Sequence, residues 1–345
     1  MGKRFVDKIP PKKKRKKGLI ALLVIVLVIA ALVGGALFIA NHTLNKMNRV
    51  DKAKEMDTYV PRDQEDFEPD SDQDDTMDPN DANWGSIKAM KDPDVKNILL
   101  IGQDRRPGET GRTRSDSMIV CSINKKTGAI TLVSLMRDMY VPIPGYTDNR
   151  INAAYVFGGM SLLNEVILRD FGIVIDGNVE VDFNGFITAM SQVAPLDIEL
   201  NSDEVRYLNN GHGWNLHEGV NALTADQLLT YARIRHVGNA DYERTERQRR
   251  VLTAAFSKIK SMSPGDIYGI VNAVLPSLTT DMSNGDIMSY ASYLITARPT
   301  IRGNYRLPAD GSFSDEIIRG MMVLVPDLVK NARLIQTYIY GKTVN

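Results

Sequence analysis

The chain has 345 residues, room for one large domain with accessories or for two domains. Hydrophobic residues make up 43% and charged residues 24%, a globular balance that excludes disorder over the whole length. Lys+Arg 42 against Asp+Glu 42 leaves no formal net charge, which excludes a uniformly basic nucleic-acid binder. The single cysteine, Cys121, excludes a disulfide framework, and four histidines make a histidine-based zinc site a poor reading.

Nine Lys or Arg precede residue 18, against one acid, Asp7. After this basic tail (1–17), Gly18 to Ala40 runs for 23 residues without a charge. As a helix it would be about 34 Å long, enough for a hydrocarbon core of ~30 Å. A signal peptide has a shorter apolar core, of about 7–15 residues. The segment therefore reads as an uncleaved transmembrane helix (18–40). KKKRKK in isolation also suits a nuclear or RNA-binding signal, but flush against the span it is the positive-inside flank. The expectation is a single-pass protein of the cell membrane, with a cytoplasmic N-terminus and an extracellular C-terminal domain. Residues 41–95 read as an extracellular polar and acidic spacer. Arg62 to Asp81 holds ten acids and one basic residue, too little apolar surface to offset ordering entropy. No Gly-bearing D-x-D-x-D-G loop marks a calcium site there.

From Lys96 the pattern changes. Asn97–Gly102, Ser117–Asn124 and Ile130–Met136 are short apolar runs that read as buried strands, the last two joined by a turn at Lys125–Gly128. Cys121 lies within the second and reads as packing. Leu162–Phe171 reads as helix, Val179–Phe183 as strand, Asn184–Val193 as helix and Asp197–Leu200 as strand. Thr224 followed three positions later by Gln227 is a capping box, so a helix begins there. A second starts near Asp241, with Val251, Leu252, Ala255, Phe256 and Ile259 at helical spacing. Further helices are expected at Pro264–Leu278 and Asp286–Thr296, a strand from Thr300, and a last helix near Val323–Tyr340. Strands and helices alternate, so the class is α/β, a mixed central sheet covered by helices.

Between Asn97 and Arg250 there are fourteen arginines and two lysines, Lys125 and Lys126. A solvated basic face usually mixes the two. The planar guanidinium grips phosphate or carboxylate in bidentate fashion and stays charged. One group, Arg105, Arg106, Arg112 and Arg114, follows the first strand, and Arg137 follows the third. A last group is Arg233, Arg235, Arg244, Arg247, Arg249 and Arg250. Arg244, Arg247 and Gln248 are spaced to share a helix face. Asp104 and Asp116 sit among the first group. Spacing leaves two readings for them: a Mg²⁺ shell completed by phosphate oxygens, or salt-bridge partners of Arg106 and Arg114. No Ser-His-Asp or Cys-His set points to covalent catalysis.

The run from Asn97 to Gly145, with Arg150–Gly159, Val181–Phe186 and Tyr231–Leu252, resembles the LytR-CpsA-Psr family of cell-wall glycopolymer ligases. The likeness covers roughly Lys96 to Lys260 in several ordered motifs. It implies a polyprenyl-pyrophosphate-binding fold, with a catalytic domain at 96–262 and a C-terminal extension at 263–345 packed on it. By match, Asp104 and Asp116 would hold Mg²⁺, or Mn²⁺ in its place. Arg106, Arg114, Arg137, Arg233, Arg235, Arg244 and Gln248 would bind the phosphates. Asp104, Asp116, Arg114 and Arg137 would form the catalytic set. Two departures stand out: the family's Val-Asp-x-x-Gly-Gly-Val stretch is replaced by SQVAPLDIEL, and Arg150 stands where the family often has Lys.

The resemblance implies a membrane-anchored phosphotransferase that moves an anionic glycopolymer from an undecaprenyl-pyrophosphate carrier onto peptidoglycan. The implied partners are that lipid-linked polymer, the peptidoglycan acceptor and the membrane, without nucleic acid. Asp104, Asp116 and Asp241 are the candidates for taking the acceptor's proton. Two rival readings use the same residues: a prenyl-pyrophosphate pyrophosphatase, and a non-catalytic lipid-carrier-binding or regulatory protein of the envelope.

Overall fold

The computed structural model describes residues 41–51, 74–82, 84–103 and 112–342. The expected span at 18–40 and much of the acidic spacer lie outside them. The chain divides after Lys46 into two compact units. In the first, residues 41–44 form a helical turn; everything below concerns the second.

β1 (Asn48–Arg49) is followed by β2 (Val95–Gln103), β3 (Ser115–Asn124) and β4 (Ala129–Leu135), an antiparallel meander. The β3–β4 turn forms where expected: Asn124 Oδ1 accepts from the Lys126 and Thr127 amides, and Gly128 takes φ 65°. A small pair, β5 (Tyr140–Val141) and β6 (Asn149–Arg150), leads into α1 (Ile151–Phe171). This helix is longer than the expected Leu162–Phe171, because it bends at Gly158–Gly159, where Gly159 has φ 62°. A glycine pair in a helical pattern looks like a break, and here it is a kink.

β7 (Gly177–Val181) precedes α2 (Phe183–Ser191), capped by the Asp182 carboxylate, which accepts from the Gly185 amide at 2.9 Å. Then come β8 (Leu196–Leu200), α3 (Ser202–His212), β9 (Gly219–Leu223) and α4 (Ala225–Ala232). The Thr224–Gln227 capping box at the start of α4 is formed on both sides. The chain ends with α5 (Ala240–Lys260), α6 (Pro264–Val274), β10 (Leu278–Thr280), α7 (Asn284–Ala297), β11 (Thr300–Leu307), β12 (Phe313–Ile318), β13 (Met321–Pro326) and α8 (Leu328–Tyr340).

The main sheet is mixed, in the order β1-β10-β7-β2-β3-β4-β11. On one face Leu99, Val120 and Val133 pack against Leu163 and Val166 of α1 and Ile335 of α8. On the other, Ile119, Ile130 and Leu132 meet Leu252 and Phe256 of α5 and Leu294 of α7. Burial on both faces is why these strands read as continuous apolar runs. A third cluster joins α2, β8, β9, α3, α4 and α5 through Met190, Leu196, Leu208, Leu223, Leu228 and Val251. Helix α1 is the one described helix long and apolar enough to cross a membrane, and it is the buried core helix of this unit.

Two expectations are corrected. Residues after 262 are not an extension packed on a finished domain. They supply β10, which pairs with β7, and β11, which runs parallel to β4 over Thr300 to Leu307. Nor is Val323–Tyr340 one helix: Met321–Pro326 pairs with β12 as a strand. Its β-branched alternation ends at Pro326, and Asp327 then caps α8 through the Lys330 amide at 2.9 Å.

Asp170, in the last turn of α1, is 4% exposed, and its Oδ2 has no hydrogen-bond partner. Burial pushes its carboxyl up to about 8, against the pull of Arg169. An unfolded aspartate titrates near ~3.9, so the folded state keeps a proton that the unfolded state has lost. This contribution to stability is full below about pH 4 and is lost as pH rises through about 8. Asp170→Asn is expected to flatten the fall in melting temperature between pH 5 and 8. Parallel melting curves for the two proteins would contradict it.

Candidate functional site

Strands β2, β3 and β7 and helices α2, α4, α5 and α6 enclose a cavity of about 750 Å³. Its walls are apolar: Leu100, Ile119, Val181, Phe186, Leu229 and Leu252 are among them. They come from the sheet face opposite α1 and from the helices above it. Polar residues enter the lining as Asp116, Arg233, Arg235, Arg244 and Gln248. Gln248 accepts from Ser117 Oγ at 2.9 Å, and the Arg233 guanidinium lies 4.2 Å from the centre of the Phe183 ring.

A cluster of charges closes one side of this tunnel. Arg137, just past β4, is its hub. It donates through Nη1 to Asp116 Oδ1 at 2.7 Å, and its Nε lies 3.3 Å from both Asp138 Oδ2 and Asp241 Oδ2. Arg235 Nη2 reaches Asp116 Oδ2 at 3.4 Å, and its Nε lies 3.8 Å from Asp241 Oδ1. Arg150 approaches Asp138 at 3.6 Å, and Arg244 approaches Asp241 at 3.3 Å. Four arginines thus share three carboxyl groups, so the cluster carries surplus positive charge.

The carboxyls differ. Burial pushes Asp138 upward, against the pull of Arg137, and its hydrogen bond to Asp241 pushes the same way. Burial also opposes ionisation of Asp241, but Arg244, Arg137, the Asp138 hydrogen bond and Arg235 together hold it below the ordinary carboxylate range. The two carboxyls therefore shift in opposite directions, Asp138 toward its neutral form and Asp241 toward its anion. Arg244 is 3% exposed, and its Nε and Nη1 make no hydrogen bond. Burial draws its guanidinium down to about 10, with Asp241 pulling back, which still leaves it charged at neutral pH. A buried cation with unmet donors on a cavity wall is poised for an anion.

The arginines expected to act together separate. Arg137, Arg235 and Arg244 converge with Asp116, while Arg233 and Gln248 line the tunnel. Asp116 pairs with Arg137 and Arg235 rather than with Arg114, which is exposed one residue before β3 and not among the lining residues. Asp104 and Arg106 lie outside the described residues. Arg247 does not share the working face of Arg244 and Gln248. It is 1% exposed and binds Glu204 at 2.7 Å, Glu243 at 2.7 Å and the Ile234 and Val237 carbonyls. Arg249 donates to Ser134 Oγ at 2.6 Å, and Arg250 pairs with Glu246. Cys121 packs beside the strand cluster, and burial pushes its thiol up to about 12, so it is no nucleophile. Asp138 was missed; its only sequence signal is its place next to Arg137.

A family model described as the LytR_cpsA_psr family matches residues 47–333. The chain belongs to the LytR_cpsA_psr family. This match runs through β10 to β13 and into α8, in keeping with their place in the fold. The chain is 34% identical over 200 residues to an Enterococcus faecalis protein named polyisoprenyl-teichoic acid–peptidoglycan teichoic acid transferase TagU. That match covers 56% of this chain and 64% of the relative. It is 35% identical over 158 residues to a Staphylococcus aureus protein named regulatory protein MsrR, covering 45% of this chain and 46% of that one. The chain thus spans less than two thirds of the length of these relatives. Among solved structures, Bacillus subtilis YwtF (TagT) with bound octaprenyl pyrophosphate lipid superposes with a TM-score of 0.56 at 20% identity. That likeness covers 75% of this chain and 97% of that one, and it shows a shared fold.

In this LytR_cpsA_psr chain Arg247 ties α5 to α3 and to the segment carrying Arg235. Removing one partner of a buried ion pair leaves the other uncompensated, at a cost of about 3–5 kcal/mol. Arg247→Ala is expected to destabilise the protein by that much in urea unfolding, because buried Glu204 then keeps only the Asn201 amide at 3.1 Å and Arg250 at 3.9 Å. A loss below ~1 kcal/mol would show that Arg247 is not a structural tie.

Proposed function

We propose that the protein is a membrane-anchored transferase that moves a glycopolymer from a polyprenyl-pyrophosphate carrier onto a hydroxyl of peptidoglycan. The observation that carries this reading is the buried Arg244, whose Nε and Nη1 make no hydrogen bond, on the wall of an apolar tunnel. A long apolar chain fits the tunnel and a pyrophosphate fits the arginines. The name of the Enterococcus relative and the lipid bound by YwtF (TagT) support the same substrate class. The apolar stretch Gly18–Ala40, with its basic flank, would hold the domain at the outer membrane surface, where such a carrier lies.

The arginines act before and during transfer. In the resting site Arg137, Arg235 and Arg244 are aimed by carboxylates and need little reorganisation. An arriving pyrophosphate takes over their donors, and these neutralise charge at the phosphoryl oxygens. The acceptor oxygen forms a bond to the phosphorus carrying the polymer, and the bond from that phosphorus to the bridging oxygen breaks. The electron pair leaves with prenyl phosphate, which the arginines hold. The acceptor's proton passes to a carboxylate. Asp241 is our candidate, since Arg137, Arg235 and Arg244 surround it and favour its anion, and it becomes more basic as the pyrophosphate draws these arginines away.

Asp116 fits as one carboxylate of a Mg²⁺ or Mn²⁺ shell. Among the described residues no group of three or more His, Cys, Asp or Glu could hold a metal unaided. Phosphate oxygens and Asp104 would complete such a shell, as is usual for Mg²⁺. When bound, the ion would add positive charge at the phosphates.

Replacing arginine by lysine keeps the charge but loses the fork. A hydrogen bond to a charged group contributes about 1.5–3 kcal/mol, so Arg244→Lys and Arg235→Lys are each expected to weaken octaprenyl pyrophosphate binding roughly 10- to 150-fold by calorimetry. Lys125→Ala with Lys126→Ala, in the β3–β4 turn, should change it less than about threefold. Equal, small effects from both sets would reduce the arginines to a solvated face. For the metal, Asp116→Asn should abolish any tightening of octaprenyl pyrophosphate binding by Mg²⁺. Tightening that persists in this variant would remove Asp116 from the shell.

A further inference from the structure

A second cavity, of about 490 Å³, adjoins the charged cluster. Arg137, Asp138 and Asp241 line it from the cluster side, and the β12–β13 hairpin lines it with Asp315, Glu316 and Met322. The two cavities share no lining residue. Yet Asp116, Arg235 and Arg244 of the tunnel touch Arg137 and Asp241 of the second cavity at 2.7 to 3.8 Å. Ion pairs therefore link the two linings directly.

That placement matters for displacement at phosphorus, in which the attacking and leaving oxygens lie roughly in line. If prenyl phosphate leaves toward the tunnel, the acceptor oxygen must arrive from the opposite side. The second cavity adjoins the cluster without sharing any of the tunnel's lining, and Asp241 lines it.

Its chemistry is also distinct. Asp138, Asp241, Asp315 and Glu316 face a single basic residue, Arg137, among the described lining. Asp315 and Glu316 add carboxylates beyond the cluster, and hydroxyl groups donate to carboxylates readily. Tyr242, Leu324 and the 58%-exposed Met322 offer apolar surface suited to the C–H face of a sugar ring. Glu316 is held in place: its Oε2 accepts from Thr76 Oγ1 at 2.7 Å, and the Thr76 amide donates to the Ile317 carbonyl at 2.9 Å.

We infer that this second cavity is the acceptor subsite, that it takes an uncharged, hydroxyl-rich sugar unit, and that Asp315 and Glu316 position that unit with a hydroxyl facing Asp241. The inference rests on the transferase reading above. It assigns a role to the β12–β13 hairpin, which the sequence had left without chemistry.

The test measures two ligands separately on the full chain in detergent. The acceptor probe is a neutral N-acetylhexosamine tetrasaccharide, and the donor probe is octaprenyl pyrophosphate. The Asp315→Asn, Glu316→Gln double variant changes charge with almost no change in shape, at exposed or half-buried positions. It is expected to weaken tetrasaccharide binding at least fivefold, to leave octaprenyl pyrophosphate binding within twofold, and to keep the melting temperature. Arg244→Lys should do the reverse. Unchanged tetrasaccharide binding in the double variant, or no binding by the wild-type chain, would overturn the subsite. Failure of the wild-type chain to bind octaprenyl pyrophosphate would instead count against the transferase reading, and the two failures are told apart by which ligand is lost.

Discussion

Arg137 holds the site together. One guanidinium touches Asp116, Asp138 and Asp241, which come from the start of β3, the turn after β4 and the start of α5. It is partly buried, and its carboxylate partners keep it charged despite that burial. Such a cluster stabilises little by itself, because desolvation offsets much of the attraction. What it provides is fixed geometry: arginines already aimed, in a place of low dielectric, beside two separate cavities.

The fold explains why the cluster can exist. The meander β2–β3–β4 brings residues 116 and 137 to the same end of neighbouring strands, since Met118 pairs with Leu135 in the β3–β4 register. Helix α5 then crosses that end with Asp241, Arg244 and Gln248 in its first turns. Arg247 points away and clamps the helix to α3 through Glu204. One helix therefore supplies both the working side chains and the tie that keeps them placed. The tunnel needs the same sheet, because the residues of β2 and β3 that face away from α1 become its walls.

Much of this was legible in the sequence. Strands buried on both faces announced themselves as apolar runs, and the Thr224–Gln227 capping box marked a helix start to the residue. The use of arginine without lysine pointed to an anion before any geometry was known. What spacing could not resolve was direction. Residues 247 and 248 are separated by about 100° around a helix, so if one faces the tunnel the other must leave it. Glu204, the partner that claims Arg247, sits on α3, whose Asn201–Glu204 capping box is a start signal of the same kind and was missed. Asp138 was hidden for a related reason: an acid next to an arginine in sequence usually points the other way on a strand, and only the turn after β4 lets both meet Asp241. The segment after 262 was misjudged because β10 is three residues long and β11 pairs with a strand far away in sequence.

The central claim is that the arginine cluster passes a phosphoryl-linked polymer from a lipid in the tunnel to a sugar hydroxyl, not to water. The most direct measurement supplies the full chain with a polyprenyl-pyrophosphate-linked glycan, Mg²⁺ and uncross-linked peptidoglycan, and follows both products. The account predicts prenyl monophosphate released in equal amount with glycan joined to peptidoglycan through a phosphodiester, and little release when the acceptor is left out. Prenyl monophosphate appearing at the same rate without acceptor, together with free glycan phosphate, would contradict it and make the site that of a pyrophosphatase.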